Sequence, residues 1–243
     1  MLASIAFGLL AACGAPPPAE GINDPYEATN RKVHDFNRRL DEALVGPASR
    51  GYGSVVPEPA QRVVGNVART LDLPGDIMNN LLQGRIANAA TNTLRLATNL
   101  TMGVGGLFDA ATALGLPQKP TDFGETLHVW GMGEGAYLEL PFTGPSTTRD
   151  TVGTLVDLAL NPVRLAVPPR EANAATLLKL FSRLGDRNRF SNTVESILYE
   201  SADSYAQARL LYLQNRRFQL GRGAGAVGGD DDFIDPYEDP YAE

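Results

Sequence analysis

Apolar residues recur at helical spacing along most of the chain. From Ala28 to Leu44, Val33, Phe36, Leu40 and Leu44 mark one stripe while Arg31, Lys32, Asp35, Arg38, Arg39 and Asp41 fill the remaining surface, which predicts an amphipathic helix. Pro47, Pro57 and Pro59 then interrupt the pattern. Pro59 suits the first turn of a second helix that runs towards Leu71 and stops at Pro74-Gly75. Ile77 to Gln83 is short and apolar, and Arg85 to Leu100 repeats Ile86, Ala89 or Ala90, Thr93 or Leu94, and Ala97. Thr147 or Thr148 can cap a helix that opens at Arg149-Asp150, carries Val152, Leu155, Val156 and Ala159 on one side and ends at Pro162. Ala174 to Leu184 shows a wide apolar face. A last helix from about Asn192 to Arg217, with Val194, Leu198, Tyr205, Ala208 and Tyr212 together, would reach about 38 Å at ~1.5 Å per residue. The pattern is helix after helix, so the fold class is all-α, and no repeat of solenoid period is present.

Two segments depart from this rhythm. Leu100 to Leu116 (LTMGVGGLFDAATALGL) carries one charge, Asp109, and is too broken by glycine for a membrane span. It reads either as a buried turn between core helices or as a segment that enters a bilayer. From Thr121 to Pro145 glycines and aromatics crowd together, and the block reads as mostly non-helical. Tyr137 to Leu140 has strand character, but one strand cannot make a sheet, so an extended bracing loop is expected there.

The only cysteine, Cys13, closes an apolar run from Leu2 in the string Leu10-Ala11-Ala12-Cys13 and opens onto Gly14, Ala15 and three prolines. Small residues before a cysteine fit a lipoprotein signal peptidase, and the thiol is the nucleophile that takes a diacylglyceryl group. A single thiol makes no disulfide, and without C-x-x-C there is no zinc or redox motif to claim it. At about 0.8 kcal/mol per buried methylene, two or three acyl chains hold a protein almost permanently on a membrane. No Lys or Arg precedes the run, which points to a translation start upstream of Met1. Gly14 in place of Asp signals no inner-membrane retention, so the expected location is the periplasmic face of the outer membrane. The chain divides into a signal peptide (1–12), a lipidated tether (13–23), a helical domain (24–220) and a disordered acidic tail (221–243).

Charge changes this picture little once it is located. The formal charge is −7, but seven acids follow Arg222, the last basic residue, so the body is neutral and has no basic stripe for nucleic acid. The tail, glycine-rich from Gly221 to Gly229 and then acidic, buries too little apolar surface to offset its ordering entropy. Asp24-Pro25-Tyr26-Glu27 recurs as Asp235-Pro236-Tyr237-Glu238 without a physical reason that we can identify.

A search for catalytic chemistry finds little. His34 and His128 are the only histidines and stand in no metal-binding spacing; G-x-S-x-G is absent; and the G-x-G-x-x-G at Gly223 to Gly228 follows no strand. A Ser-His-Asp set assembled from distant positions stays open. No catalytic residue, no metal and no cofactor are expected beyond the covalent lipid on Cys13.

The motifs taken together resemble the MlaA/VacJ outer-membrane lipoproteins. Asp24-Pro25-Tyr26-Glu27 with Asn30-Arg31 and Phe36-Asn37 is similar to the family's opening, and Pro57-Glu58-Pro59, Arg62, Asn79 and Leu82-Gln83-Gly84 to its next stretch. Asn99 to Gly103 and Gly106-Leu107-Phe108-Asp109 follow. Phe123 to Leu127, Trp130-Gly131, Gly135-Ala136-Tyr137, Leu140-Pro141, Gly144-Pro145 and Arg149-Asp150 resemble its most recognisable block, and Asp203-Ser204-Tyr205 with Arg209 to Tyr212 its last helix. Family members commonly have Gly at the position of His128 and Pro at that of Ala136.

The resemblance implies a ring-like arrangement of amphipathic helices in the inner leaflet of the outer membrane, with an amphipathic channel through it. Such a protein removes misplaced phospholipid from the outer leaflet and passes it to a soluble periplasmic lipid carrier, beside a trimeric porin. Gly103, Val104, Gly105, Gly106, Leu107 and Phe108 are the candidate channel hinge, with a static packed turn as the other reading. Trp130 and Tyr137 are candidate interfacial or bracing aromatics. Two other classes are a structural lipoprotein that braces an envelope complex and a lipid-modifying hydrolase.

Overall fold

Helix α1 (Glu27–Leu40) forms where the periodicity predicts, but the face it buries is the polar one: Asn30 and His34 lie inward while Phe36 is exposed. In this computed structural model residues 22–224 are described. Cys13, the signal and most of the tether, and the acidic tail beyond residue 224 lie outside them.

The chain leaves α1 through one π-helical turn, Asp41–Val45, and enters α2 (Gly46–Val55) without a break. Pro47 therefore does not interrupt the helix as the sequence predicts. It falls in the first turn of α2, directly behind the wide turn, where a missing N–H leaves least unmade. Helix α3 (Glu58–Leu82) likewise runs through Pro74 and joins the two segments expected on either side of it. An internal proline costs about 3 kcal/mol. Burial of Leu73, Asp76, Asn79 and Asn80 around it, against partners from other helices, outweighs that cost.

Helix α4 (Ile86–Thr101) returns along α3, and the apolar turn after it leads to the short α5 (Ala110–Ala113), capped by Asp109. The aromatic block is more regular than predicted. It holds α6 (Phe123–Val129), capped by Asp122, and a hairpin of β1 (Tyr137–Leu140) and β2 (Gly144–Thr147). The strands are antiparallel, with Tyr137 opposite Thr147 and Leu140 opposite Gly144. The expected loop at Tyr137 is thus a strand whose partner, with Gly and Pro in its first two places, has no strand signature.

Thr147 Oγ1 accepts the Asp150 amide at 3.2 Å and starts α7 (Thr148–Ala159), as predicted. Then follow α8 (Pro162–Ala166), α9 (Pro169–Arg189), α10 (Ser191–Glu195) with a second π-helical turn, Ser196–Glu200, and α11 (Ser204–Ala224). The single helix predicted over 192–217 is broken. Ser201 turns extended, and the Asp203 carboxylate accepts the Ala206 amide at 3.0 Å, an N-cap that begins α11 afresh.

The elements close a circuit. The hairpin packs on α1, α1 runs into α2, α2 meets α9, α9 meets α3, α3 meets α6, α6 meets α7, and α7 returns to β2. Helix α11 locks the circuit. Arg209 and Tyr205 bond Asp24, Arg31 forks onto Asp203, and Arg216 reaches Asp122 and Asp150. Helix α4 packs along α3 and joins the circuit through it.

The interior of this ring-like body is polar. Among the described residues, buried polar and charged side chains outnumber buried apolar ones, and the apolar cluster is small, built on Tyr137, Tyr205 and Leu213. The stripes that mark the helices in the sequence are exposed. Ile86, Leu94 and Leu100 on α4, Leu155 and Leu158 on α7, and Leu177, Leu180 and Phe181 on α9 are exposed. Water-soluble domains bury such stripes; exposing several of them at once is the arrangement of a surface that meets other apolar matter.

Candidate functional site

Helices α3 and α9 run antiparallel, with Asp72 paired to Lys179 and Gly65 near Ser182, and two clefts follow one another along their seam. The first, about 780 Å³, opens between the end of α2, the start of α3 and the second half of α9. Arg62, Arg69 and Arg189 bring three guanidinium groups to it, together with Gln61, Asn66 and Asn188. Arg62 and Arg189 make only long ion pairs, 4.0 Å each to Glu58 and Asp186, so both keep donors for an anion.

The second cleft, about 420 Å³, lies further along α3, between α9, α8 and the segment before α6. It collects Asp72, Asp76, Asp122 and Asp157 with Lys179 and Arg183. Asp157 accepts Asn79 Nδ2 at 3.0 Å and the Phe123 amide at 2.9 Å; burial still pushes its carboxyl up. Asp76 is 6 % exposed; Oδ1 accepts the Thr121 amide at 3.2 Å and Oδ2 has no partner. Burial, reinforced by Asp72 and Asp122, pushes its carboxyl up to about 7.

Polar stripes that the apolar pattern does not show run along α3 and α4, and the one on α3 gives Asn66 and Arg69 to the first cleft and Asp76 and Asn79 to the second. Asn66, Arg69, Asp76, Asn79 and Gln83 recur along α3 at helical spacing, and Asn92, Arg95 and Asn99 do so on α4. The signal was available in the periodicity of polar rather than apolar positions.

The candidate hinge residues sit together in a well-bonded turn. Gly106 N–H donates to Asn99 O at 2.8 Å, Gly105 N–H to Leu100 O at 3.0 Å and Phe108 N–H to Gly103 O at 3.0 Å. Gly105 and Gly106 use positive φ, as does Val104 at 53°, where a β-branched residue is strained. A side chain on Gly103 would collide with the carbonyls of Asn99 and Phe108, and one on Gly106 with Thr70. Outward, Met102, Val104, Leu107 and Phe108 make an exposed apolar crest. The backbone of the turn is tightly packed while its side chains reach away from the body.

Trp130 and Tyr137 occupy opposite environments. Trp130 is 56 % exposed, its indole N–H donates to Leu82 O at 3.1 Å, and Phe123 meets it edge-on at 5.6 Å. Tyr137 is fully buried against Tyr205 and Tyr212, and its hydroxyl donates to Glu139. It braces the hairpin against α11.

The structure also aligns a serine, a histidine and a carboxylate. His34 Nε2 lies 3.0 Å from Ser204 Oγ and its Nδ1 3.3 Å from Glu139 Oε1. This is the order of a hydrolytic relay, but the Tyr205 and Ala206 amides, which would serve an oxyanion beside Ser204, are both directed to Asp203. The three side chains tie α1, β1 and α11 together. His128, the other histidine, is partly buried on α6, and burial lowers its pKa.

Comparison with known proteins agrees with this architecture. A family model described as MlaA lipoprotein matches residues 22–219. A Rickettsia felis protein described as uncharacterized is 36 % identical over 143 residues, 58 % of this chain and 57 % of that one, so the chain spans little more than half the length of this relative. The intermembrane phospholipid transport system lipoprotein MlaA of Shigella flexneri is 31 % identical over 251 residues, 100 % of this chain and 94 % of that one. A solved structure, reported as the structural basis for maintenance of bacterial outer membrane lipid asymmetry, superposes with a TM-score of 0.70 at 27 % identity, covering 81 % of this chain and 98 % of that chain.

Proposed function

The chain belongs to the MlaA lipoprotein family, and from that premise we propose that it works in intermembrane phospholipid transport, removing misplaced phospholipid from the outer leaflet of the outer membrane. The observation that carries the reading is the inverted burial: polar residues are buried within the body and apolar stripes are exposed. A body of that kind sits among acyl chains of one leaflet and offers a headgroup polar contacts on its way through. The two clefts along α3 and α9 supply those contacts. The first presents guanidinium groups to a phosphate, and the second adds carboxylates.

The remaining parts of the reading rest on the sequence. Acyl chains on Cys13 anchor the protein at the periplasmic face, a trimeric porin holds it at the right depth, and a soluble periplasmic carrier receives the lipid. No cofactor is needed, because direction comes from relative lipid affinities and from an energised step elsewhere.

The test is the amount of phospholipid exposed on the surface of cells that lack this gene, complemented with wild type or with Cys13→Ser. A rise on deletion, reversed by the wild type and poorly by Cys13→Ser, is expected. No rise, with the wild-type protein confirmed in the outer membrane, overturns the reading.

A further inference from the structure

The second cleft carries more than general polarity. Of its four carboxylates, three have no buried oxygen left without a donor. Lys179 neutralises Asp72, Arg216 forks onto Asp122 at 2.7 and 2.9 Å, and Asp157 takes the Asn79 amide group and the Phe123 N–H. Asp76 is only half satisfied: Oδ1 takes the Thr121 amide, and Oδ2 is buried without any donor. On the rim, Arg183 is exposed, and no hydrogen bond or ion pair engages its guanidinium. After internal pairing the cleft thus retains two carboxylates without a cationic partner, of which Asp76 alone has an oxygen without a donor, and one cationic group at its edge. Its volume, about 420 Å³, falls in the ~300–1,000 Å³ range of ligand clefts.

We propose that this cleft is a selectivity site for phospholipids with a primary-ammonium headgroup, in which the Asp76 carboxylate receives the ammonium and the Arg183 guanidinium the phosphate. The inference rests on the transport reading and names its preferred cargo. An ammonium brings three N–H donors and a full positive charge to an oxygen that lacks both, whereas a glycerol headgroup brings hydroxyl donors without charge. A buried carboxylate oxygen without a donor is costly, and it is tolerated where a ligand completes it.

The test uses the full chain purified in detergent and held in mixed micelles with equal amounts of phosphatidylethanolamine and phosphatidylglycerol at pH 7.5. The protein is re-isolated and its bound lipid quantified by mass spectrometry. Wild type should be enriched in the amine lipid by about tenfold, the effect of one charge-assisted hydrogen bond. Asp76→Asn should bring the ratio to parity with total lipid unchanged. Arg183→Gln, an exposed change, should lower both lipids and keep their ratio. Soluble O-phosphoethanolamine should compete on the wild type and not on Asp76→Asn. Parity in the wild type, an undiminished ratio in Asp76→Asn, or equal competition on both proteins overturns the inference and leaves lipid transport standing. Absence of any lipid on the wild type overturns transport instead.

Discussion

Arg95 holds Asp109 from one end of the apolar turn to the other. Its Nη2 lies 3.0 and 3.2 Å from the two carboxylate oxygens, and Nη1 reaches Thr112 and the Leu116 carbonyl. Because Arg95 is 2 % exposed, the crest of Met102, Val104, Leu107 and Phe108 is staked at its base by a buried guanidinium. Burial opposes the charge on Asp109, but hydrogen bonds from Thr112 and Asn99 together with the charge of Arg95 hold its carboxyl below the usual range.

Removing one member of such a pair strands the other. Arg95→Met is expected to cost about 3–5 kcal/mol and to raise amide exchange across residues 103–108 before the rest of the chain. Hydrogen exchange by mass spectrometry checks both parts. Unchanged protection of 103–108 would mean that the turn is held by its backbone bonds alone.

The glycines of this turn should not be equivalent. At Gly105 a side chain meets open space but the φ of +72° disfavours it, so Gly105→Ala is expected to cost about 1 kcal/mol. At Gly103 an added methyl runs into the backbone carbonyls of Asn99, within α4, and of Phe108, so Gly103→Ala should cost several times more. Thermal unfolding separates the two. If the segment is a channel hinge, Gly105→Ala also slows lipid removal at matched protein level; full activity with the expected loss of stability assigns it to a static turn.

What was legible in the sequence was periodicity, and what was not was its direction. Val33, Phe36 and Leu40 identify α1 correctly and Leu44 falls in the π-helical turn that continues it, but the same stripe would mark a water-soluble helix with its apolar face inward. Periodicity reports which residues share a face; the medium outside decides which face is buried. Pro47 and Pro74 mislead for a related reason, since tertiary contacts around Leu73 and the π-helical turn before Gly46 absorb what a proline costs in an isolated helix. The Asp76 site escaped because the groups that share its cleft, Thr121, whose amide bonds it, and Arg183 on the rim, are brought to α3 from distant segments.

Asp76 makes the stability of the protein depend on pH in a direction opposite to that of a salt-bridged carboxylate. Its folded carboxyl titrates near 7 against an ordinary 3.8, so between those values the folded state binds the proton more tightly than the unfolded one. Stability contributed at this site is therefore highest below pH 4 and falls as pH rises through 7. Asp76→Asn should stabilise the lipid-free protein at pH 8, by up to roughly 4 kcal/mol at ~1.36 kcal/mol per pH unit, and hardly at all at pH 4. Asp72, Asp122, Asp157, Lys179 and Arg183 also face this cleft, so the difference between variant and wild type, followed by thermal unfolding across pH, is the quantity that isolates Asp76. An equal difference at both pH values would show that burial does not displace the Asp76 carboxyl.

Trp130 is the only tryptophan, so its fluorescence reports one place on the surface. The ring stands out beside Leu81, Leu82 and Val129, all exposed, while its N–H is already satisfied by the Leu82 carbonyl. An indole satisfied in this way loses no hydrogen bond when it leaves water, and apolar neighbours on the same patch favour that transfer. On binding vesicles, the emission should shift to the blue, and lipids brominated near the carbonyl end of the chain should quench it more than those brominated near the methyl end. Tyr137, buried against Tyr205, should contribute nothing to this response, so Tyr137→Phe leaves the quenching unchanged while loosening the hairpin. Emission that stays at the wavelength of exposed tryptophan, with the protein demonstrably on the vesicle, would place the α6 end of the ring in water. The apolar stripes of α4, α7 and α9 would then have to meet a protein surface instead of acyl chains.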